Sequence, residues 1–175
     1  MSDVYVEHMV GRVMTPALRA RQILLLFGGA VVLVAALLLA PMAGSVGFVF
    51  MLAGVGLAYL AWRLARGQQV EFEYTLTNGE FDLDKIIARS SRKRLLTFHC
   101  RDVEQLIPYS AGERLPSGTI VACSSLKDNN LWKCTVKQGG KGSVTFVFNA
   151  TDTLLSAMSK FLPASVRREF LGNQP

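Results

Sequence analysis

Hydrophobic and polar positions along this chain follow two regimes. From Gln22 to Trp62 there are 41 consecutive positions without Lys, Arg, Asp, Glu or His. Pro41-Met42-Ala43-Gly44-Ser45 divides the run into two apolar halves, Gln22–Ala40 and Val46–Trp62. A bilayer core of about 30 Å takes roughly 20 residues of helix, so this pattern predicts two membrane spans, 22–40 and 46–62, joined by a tight turn. Backbone groups in lipid must bond within their own segment, which makes both halves helices. Thr15-Pro16 supplies an N-cap and a proline at the first helical position, placing the whole helical hairpin at residues 16–66.

After the joint Gly67-Gln68-Gln69 the period changes to two. In Val70–Thr77, Val70, Phe72, Tyr74 and Leu76 share one face, and Glu71, Glu73, Thr75 and Thr77 share the other. Asn78-Gly79 is the signature of a two-residue type I′ turn. Its register sets Leu76 opposite Phe81, Tyr74 opposite Leu83 and Glu73 opposite Asp84. The same register sets Lys85 opposite Phe72 on the apolar face, which predicts a bulge or bend near Asp84–Ile86. Further strands are expected at Arg92–Cys100, Val103–Tyr109, Thr119–Ser124, Leu131–Lys137 and Ser143–Asn149. A final amphipathic helix, capped by Thr151, carries Leu154, Leu155, Met158, Phe161 and Leu162 on one stripe and is kinked or ended by Pro163. Residues 1–15 read as a separate N-terminal cytoplasmic segment, and Met1–Val13 fits either a short interfacial helix or a disordered chain end.

These elements predict an α+β membrane protein. A transmembrane hairpin precedes seven antiparallel strands that must bend over to bury one face, with a C-terminal helix closing the open end. The soluble domain is set at residues 70–175, enough for a core of its own. Arg12, Arg19 and Arg21 precede the first half and Arg63 and Arg66 follow the second, so the excess of bases on the flanks places both termini in the cytoplasm. The expected location is the cell membrane, crossed twice. A cleaved signal peptide is disfavoured, because the apolar run is too long and a second one follows at once. Neither half carries an ionisable residue, which argues against a proton or ion pathway.

The layout of two spans, seven strands and a helix resembles bacterial membrane-anchored proteins with a pleckstrin-homology-like (PH-like) domain. Locally, EFEYTLTNGEFDLDKIIARSSRKRLLTFHCRDVE, Glu71–Glu104, resembles an uncharacterised bacterial family of two-span membrane proteins with a C-terminal PH-like domain. The resemblance implies fold and topology and carries no activity. Many PH domains hold phosphorylated lipids through basic residues at a strand–strand loop. Here the first connection of the predicted domain is the tight Asn78-Gly79 turn, which has no base and no room for a headgroup.

Charge is segregated. Residues 71–84 hold five acids and no base, and residues 85–101 hold six bases and no acid. Arg89, Arg92, Lys93 and Arg94, with Arg101 nearby, are therefore the candidate site for anionic lipid or a partner. The competing reading is that these bases neutralise the acidic hairpin, where Glu73 and Asp84 face each other. Nucleic acid is excluded as a partner because the aromatic residues fall on inward faces. His99 and Cys100 are strand neighbours on opposite faces, a poor nucleophile–base pair. Cys100, Cys123 and Cys134 have neither disulfide nor zinc spacing. Trp132 reads as core, Asp82 and Asp84 as ordinary solvent-face acids, and Gly139-Gly140-Lys141-Gly142 as a hairpin loop without phosphate-loop spacing. No cofactor or metal is implied.

The expected function is that of a non-enzymatic membrane-anchored PH-like module, docking a protein partner, anionic lipid or both at the inner face of the membrane. The alternative is a structural or assembly factor whose hairpin packs beside other membrane proteins through the small pair Gly54 and Ala58.

Overall fold

A computed structural model describes residues 3–140 and 142–172. It divides into two compact units: residues 14–69, and the described residues of 1–13 and 70–175.

The first unit is helical. Thr15 Oγ1 accepts from Leu18 N at 3.3 Å and Pro16 opens α1, Pro16–Leu39. A 3₁₀ segment, Ala40–Val46, follows, and Gly44 (φ 57°, ψ −129°) reverses the chain with a conformation that suits glycine. Helix α2 is Gly47–Arg66. The helices pack back on one another through small residues. Gly54 lies against Ala36, and Gly29 is so close to Ala58 and Ala61 that a Cβ there would stand 2.9 Å from the Ala61 Cβ. Pairing of 29 with 58–61 and of 36 with 54 makes the packing antiparallel. Larger apolar residues, including Leu24, Phe27, Phe48 and Leu57, stay exposed. Pro16–Arg66 is long and apolar enough to cross a membrane by length and composition.

The second unit has two four-stranded sheets. One is ordered β1 (Tyr5–Gly11), β2 (Val70–Thr77), β3 (Glu80–Ile87), β4 (Ser91–His99), all antiparallel neighbours. After a 3₁₀ turn at Cys100–Asp102, β5 (Val103–Pro108), β6 (Ile120–Ala122), β7 (Leu131–Gln138) and β8 (Gly142–Asn149) form the other, in the order β5-β7-β8-β6. The sheets pack face to face through aromatic residues. Phe81 lies 6.0 Å from Phe146, and Tyr74 meets Phe148 edge-on at 5.7 Å between ring centroids. The Tyr74 hydroxyl donates to the Ala122 carbonyl at 2.5 Å, satisfying a polar group inside this core. Helices α3 (Asp152–Ser159) and α4 (Ala164–Gly172) close it with Leu154, Met158, Val166 and Phe170, and Leu162 between them adds to the same core. Thr151 Oγ1 caps α3 through Leu154 N at 3.3 Å, as its position predicts.

Several expectations are corrected. Residues 3–13 are neither helix nor a separate segment: Tyr5–Gly11 form β1, which runs antiparallel to β2 from Tyr5↔Thr77 to Gly11↔Glu71. The Asn78 side chain and backbone tie its start, accepting from Val4 N at 3.0 Å and donating to Val4 O at 2.9 Å. Among the described residues eight strands replace the expected seven, and β6 runs parallel to β8. The bulge falls between Leu83 and Asp84 on the β3–β4 ladder, leaving Leu95 as the extra residue, while β2–β3 pairing continues unbroken through Phe72↔Lys85. The terminal helix is two helices, separated around Pro163.

Candidate functional site

The candidate cluster begins at the turn between β3 and β4. Ala88 (φ 53°) and Arg89 (φ 54°) are consecutive left-handed residues, a conformation costing an L-residue with a Cβ about 1–2 kcal/mol. Ser90 N bonds Ile87 O at 3.1 Å, and Arg89 Nε donates to Glu71 Oε1 at 3.0 Å across the sheet.

Alternation along β4 then sends the bases to opposite faces. Arg92 and Arg94 lie on the outer face with the acids of β2 and β3. Glu73 and Asp84 are cross-strand partners, as the turn register requires, and both are buried. Arg92 bonds Glu73 and reaches Asp84 Oδ2 at 3.7 Å. Arg94 Nε contacts Asp84 Oδ1 at 3.2 Å, and its terminal nitrogen contacts Asp82 Oδ2 at 3.4 Å. Thr97 Oγ1 donates to Asp82 Oδ1 at 2.5 Å. The hydrogen bond to Glu73 raises the Arg92 pKa above its ordinary value, and the bond to Asp84 does the same for Arg94. Two buried carboxylates facing one another would repel; the guanidinium forks make the arrangement stable. Both arginines thus have carboxylate partners within the sheet.

Lys93 is separated from them by the pleat. Its cross-strand partner is Lys85, itself opposite the buried Phe72. Among the described residues neither lysine has a carboxylate within 4.0 Å. Lys85 is the residue that sequence reasoning left out of the cluster. Its signal was its place on the apolar face of the Val70–Ile87 hairpin, opposite Phe72.

Arg101, close to the cluster in sequence, is remote in space. It follows β4 at the end where Cys100 N bonds Gly79 O at 2.8 Å, some seven strand residues or roughly 25 Å from Arg92. There it lines a shallow hollow with Asp102, Val103, Glu104, Lys137 and Gly139. An adjoining hollow is lined by Glu80, Phe98, His99, Asp102, Lys137 and Gln138 among others.

The remaining candidates lie elsewhere in the fold. Gly54 and Ala58 are both used inside the helical hairpin, against Ala36 and Gly29. Cys100 is buried and its desolvated thiol is pushed up to about 12, whereas His99 is exposed. Burial likewise pushes Cys123 up to about 11 and raises Cys134. A thiolate at neutral pH is thus unfavourable at each of the three. Trp132 is buried, 5.3 Å from Phe170. Gly140 (φ 78°) and Gly142 (φ 80°) shape the β7–β8 turn; Lys141 lies outside the described residues. Among the described residues no three His, Cys, Asp or Glu side chains converge as a metal site.

One family model, Bacterial PH-like domain (DUF6106), matches residues 2–168, and the chain belongs to this family. The match runs from before β1 into α4 and includes the apolar hairpin. No curated protein and no solved structure matches the chain.

Proposed function

We propose that this member of the bacterial PH-like family is a non-enzymatic binding module clamped to the inner face of the cell membrane. PH-like domains are generally non-catalytic binding modules, which sets the class. One observation supports the clamp: β1 and β2 are paired neighbours, yet the whole apolar hairpin lies between them in sequence. The β unit is thereby tied by two links, Arg12–Thr15 and Gly67–Gln69. Arg12 N bonds Val70 O at 2.9 Å, so both links leave from the same end of the sheet. The apolar surface of α1 and α2, with Arg19, Arg21, Arg63 and Arg66 flanking it, fits two crossings with both ends cytoplasmic.

The opposite end of the sheet carries the two hollows around His99, Asp102 and Lys137. This end is free of tethers and is where a protein partner docks, at the high local concentration that anchoring confers. The assembly-factor alternative draws no support from Gly54 and Ala58, which the hairpin uses internally.

Two measurements test the reading. Alkaline extraction leaves the full chain in the membrane pellet and releases a chain whose residues 14–69 are replaced by a short Gly/Ser loop; release of both overturns the anchor. A photocrosslinking residue at Lys137, in native membranes, forms a discrete adduct, while one at Arg114 does not. Absence of any adduct at Lys137 overturns docking at this end.

A further inference from the structure

We infer that Lys85 and Lys93 together form a contact for the phosphate of an anionic lipid headgroup, a role distinct from that of the neighbouring arginines. The inference rests on the membrane-anchored reading above and names its lipid-facing residues.

Two lysines directly opposite one another on adjacent strands repel unless an anion lies between or above them. Within the fold the anions at hand are Glu71, Glu73, Asp82 and Asp84, and each is already engaged by Arg89, Arg92 or Arg94. Glu73, Asp82 and Asp84 also stand on the other face of the sheet, beyond the pleat from Lys85 and Lys93. The lysine pair is thus left without a counter-charge among the described residues.

Position identifies the missing anion. The register Val70↔Ile87↔Ser91 puts the β3–β4 turn at the same end of the sheet as Val70, where both links to the apolar hairpin leave. Lys85 and Lys93 lie two residues in from that end, and Arg12, also exposed, stands on the first link. The partly exposed Ile87 borders the pair on the same face. An apolar border with paired ammonium groups suits the headgroup region of a bilayer, where bases near an anionic surface are attracted within a Debye length. A free small anion would match the charge and have no use for the apolar border.

The test uses the full chain in nanodiscs, with the acylation rate of each lysine read by mass spectrometry. On passing from phosphatidylcholine discs to discs containing phosphatidylglycerol, Lys85 and Lys93 slow by about five-fold, a surface-charge effect that 1 M salt removes. The exposed Lys127 and Lys160 do not change. In Lys93→Gln discs, protection of Lys85 shrinks. Equal rates in both discs overturn the inference. Protection in neutral discs on adding inorganic phosphate also overturns it, in favour of a small-anion site. Alkaline extraction of the same chain separates the two readings. A chain that stays in the membrane with unprotected lysines leaves the anchor standing and removes only the lipid contact.

Discussion

The helical hairpin and the β unit are built from the same apolar residue types and use them in opposite ways. Phe27 and Phe48 are 68% and 63% exposed, whereas Phe81 and Phe146 are 0% exposed. In the β unit, aromatic side chains fill the space between two sheets and the usual hydrophobic driving force holds the core. In the hairpin most large side chains point away, and the closest approaches are made by small residues such as Gly29, Ala36, Gly54 and Ala58. Water would punish that arrangement; lipid does not, because helices in a bilayer associate by close packing of small residues. The difference teaches that burial by itself does not define the core of this chain, since the proposed bilayer supplies the hairpin's apolar surroundings.

The sharpest way to break the comparison is to remove one region and ask whether the other survives. Joining Val13 to Val70 through a short Gly/Ser loop should leave a water-soluble β unit with one cooperative thermal transition, because both ends already meet at the Arg12–Val70 bond. Deleting residues 3–13 should abolish that transition, since β2 loses one of its two neighbours and the side chains of Val4, Val6 and Val10 leave the core. A fragment starting at Gln68 is therefore expected to aggregate rather than fold. Circular dichroism on the two chains decides this.

Glycines sharpen the contrast at the level of single atoms. In the β unit, Gly79 has φ 90° and a Cβ there would stand 2.9 Å from Phe161 Cδ1. Gly79→Ala should cost about 3 kcal/mol in denaturant unfolding, from the unfavourable φ and the overpacking together. In the full chain, Gly54→Leu should break the helix pairing, because position 54 lies against Ala36, and leave the thermal transition of the β unit unchanged.

On β4 a smaller effect distinguishes fold from surface. Arg92→Ala leaves Glu73 and Asp84 buried and facing each other, and should lower the melting temperature; Glu73→Gln in the same chain should restore part of the loss. Lys93→Ala should leave the melting temperature unchanged or slightly higher, because it removes a like-charge pair. Equal losses from Arg92→Ala and Lys93→Ala would refute the division of the cluster by face.

A further effect is expected at alkaline pH. Burial holds the Cys100 thiol at about 12 in the fold against an ordinary value of 9.0. Below the ordinary value both folded and unfolded thiols are protonated and the full stability is present. As pH climbs from 9.0 toward 12 the unfolded chain ionises first, so stability falls. Cys100→Ser should flatten part of this decline in urea titrations between those limits.

Much of this protein was legible along the chain, because the informative signals are local. The charge-free stretch and its Pro-Gly break specify two helices, Asn78-Gly79 specifies a turn and with it every partner from Val70↔Ile87 to Thr77↔Glu80, and Thr151 specifies a cap. Glu73 opposite Asp84 followed from counting residues away from that turn. What counting could not supply was partners distant in sequence. The alternation Val4, Val6, Val10 is visible, but β1 gains meaning only from β2, more than sixty residues on, so its pairing energy has no local trace. Arg101 seemed part of the basic cluster because it is near in sequence, yet a strand is straight and carries it to the other end of the sheet. The split between Arg92 and Arg94 on one face and Lys85 and Lys93 on the other required both strands to be paired through the bulge at Leu95. Local patterns determined which elements form; only the pairing of the sheet, where distant backbone groups satisfy one another, decided which charges meet a partner inside the fold and which do not.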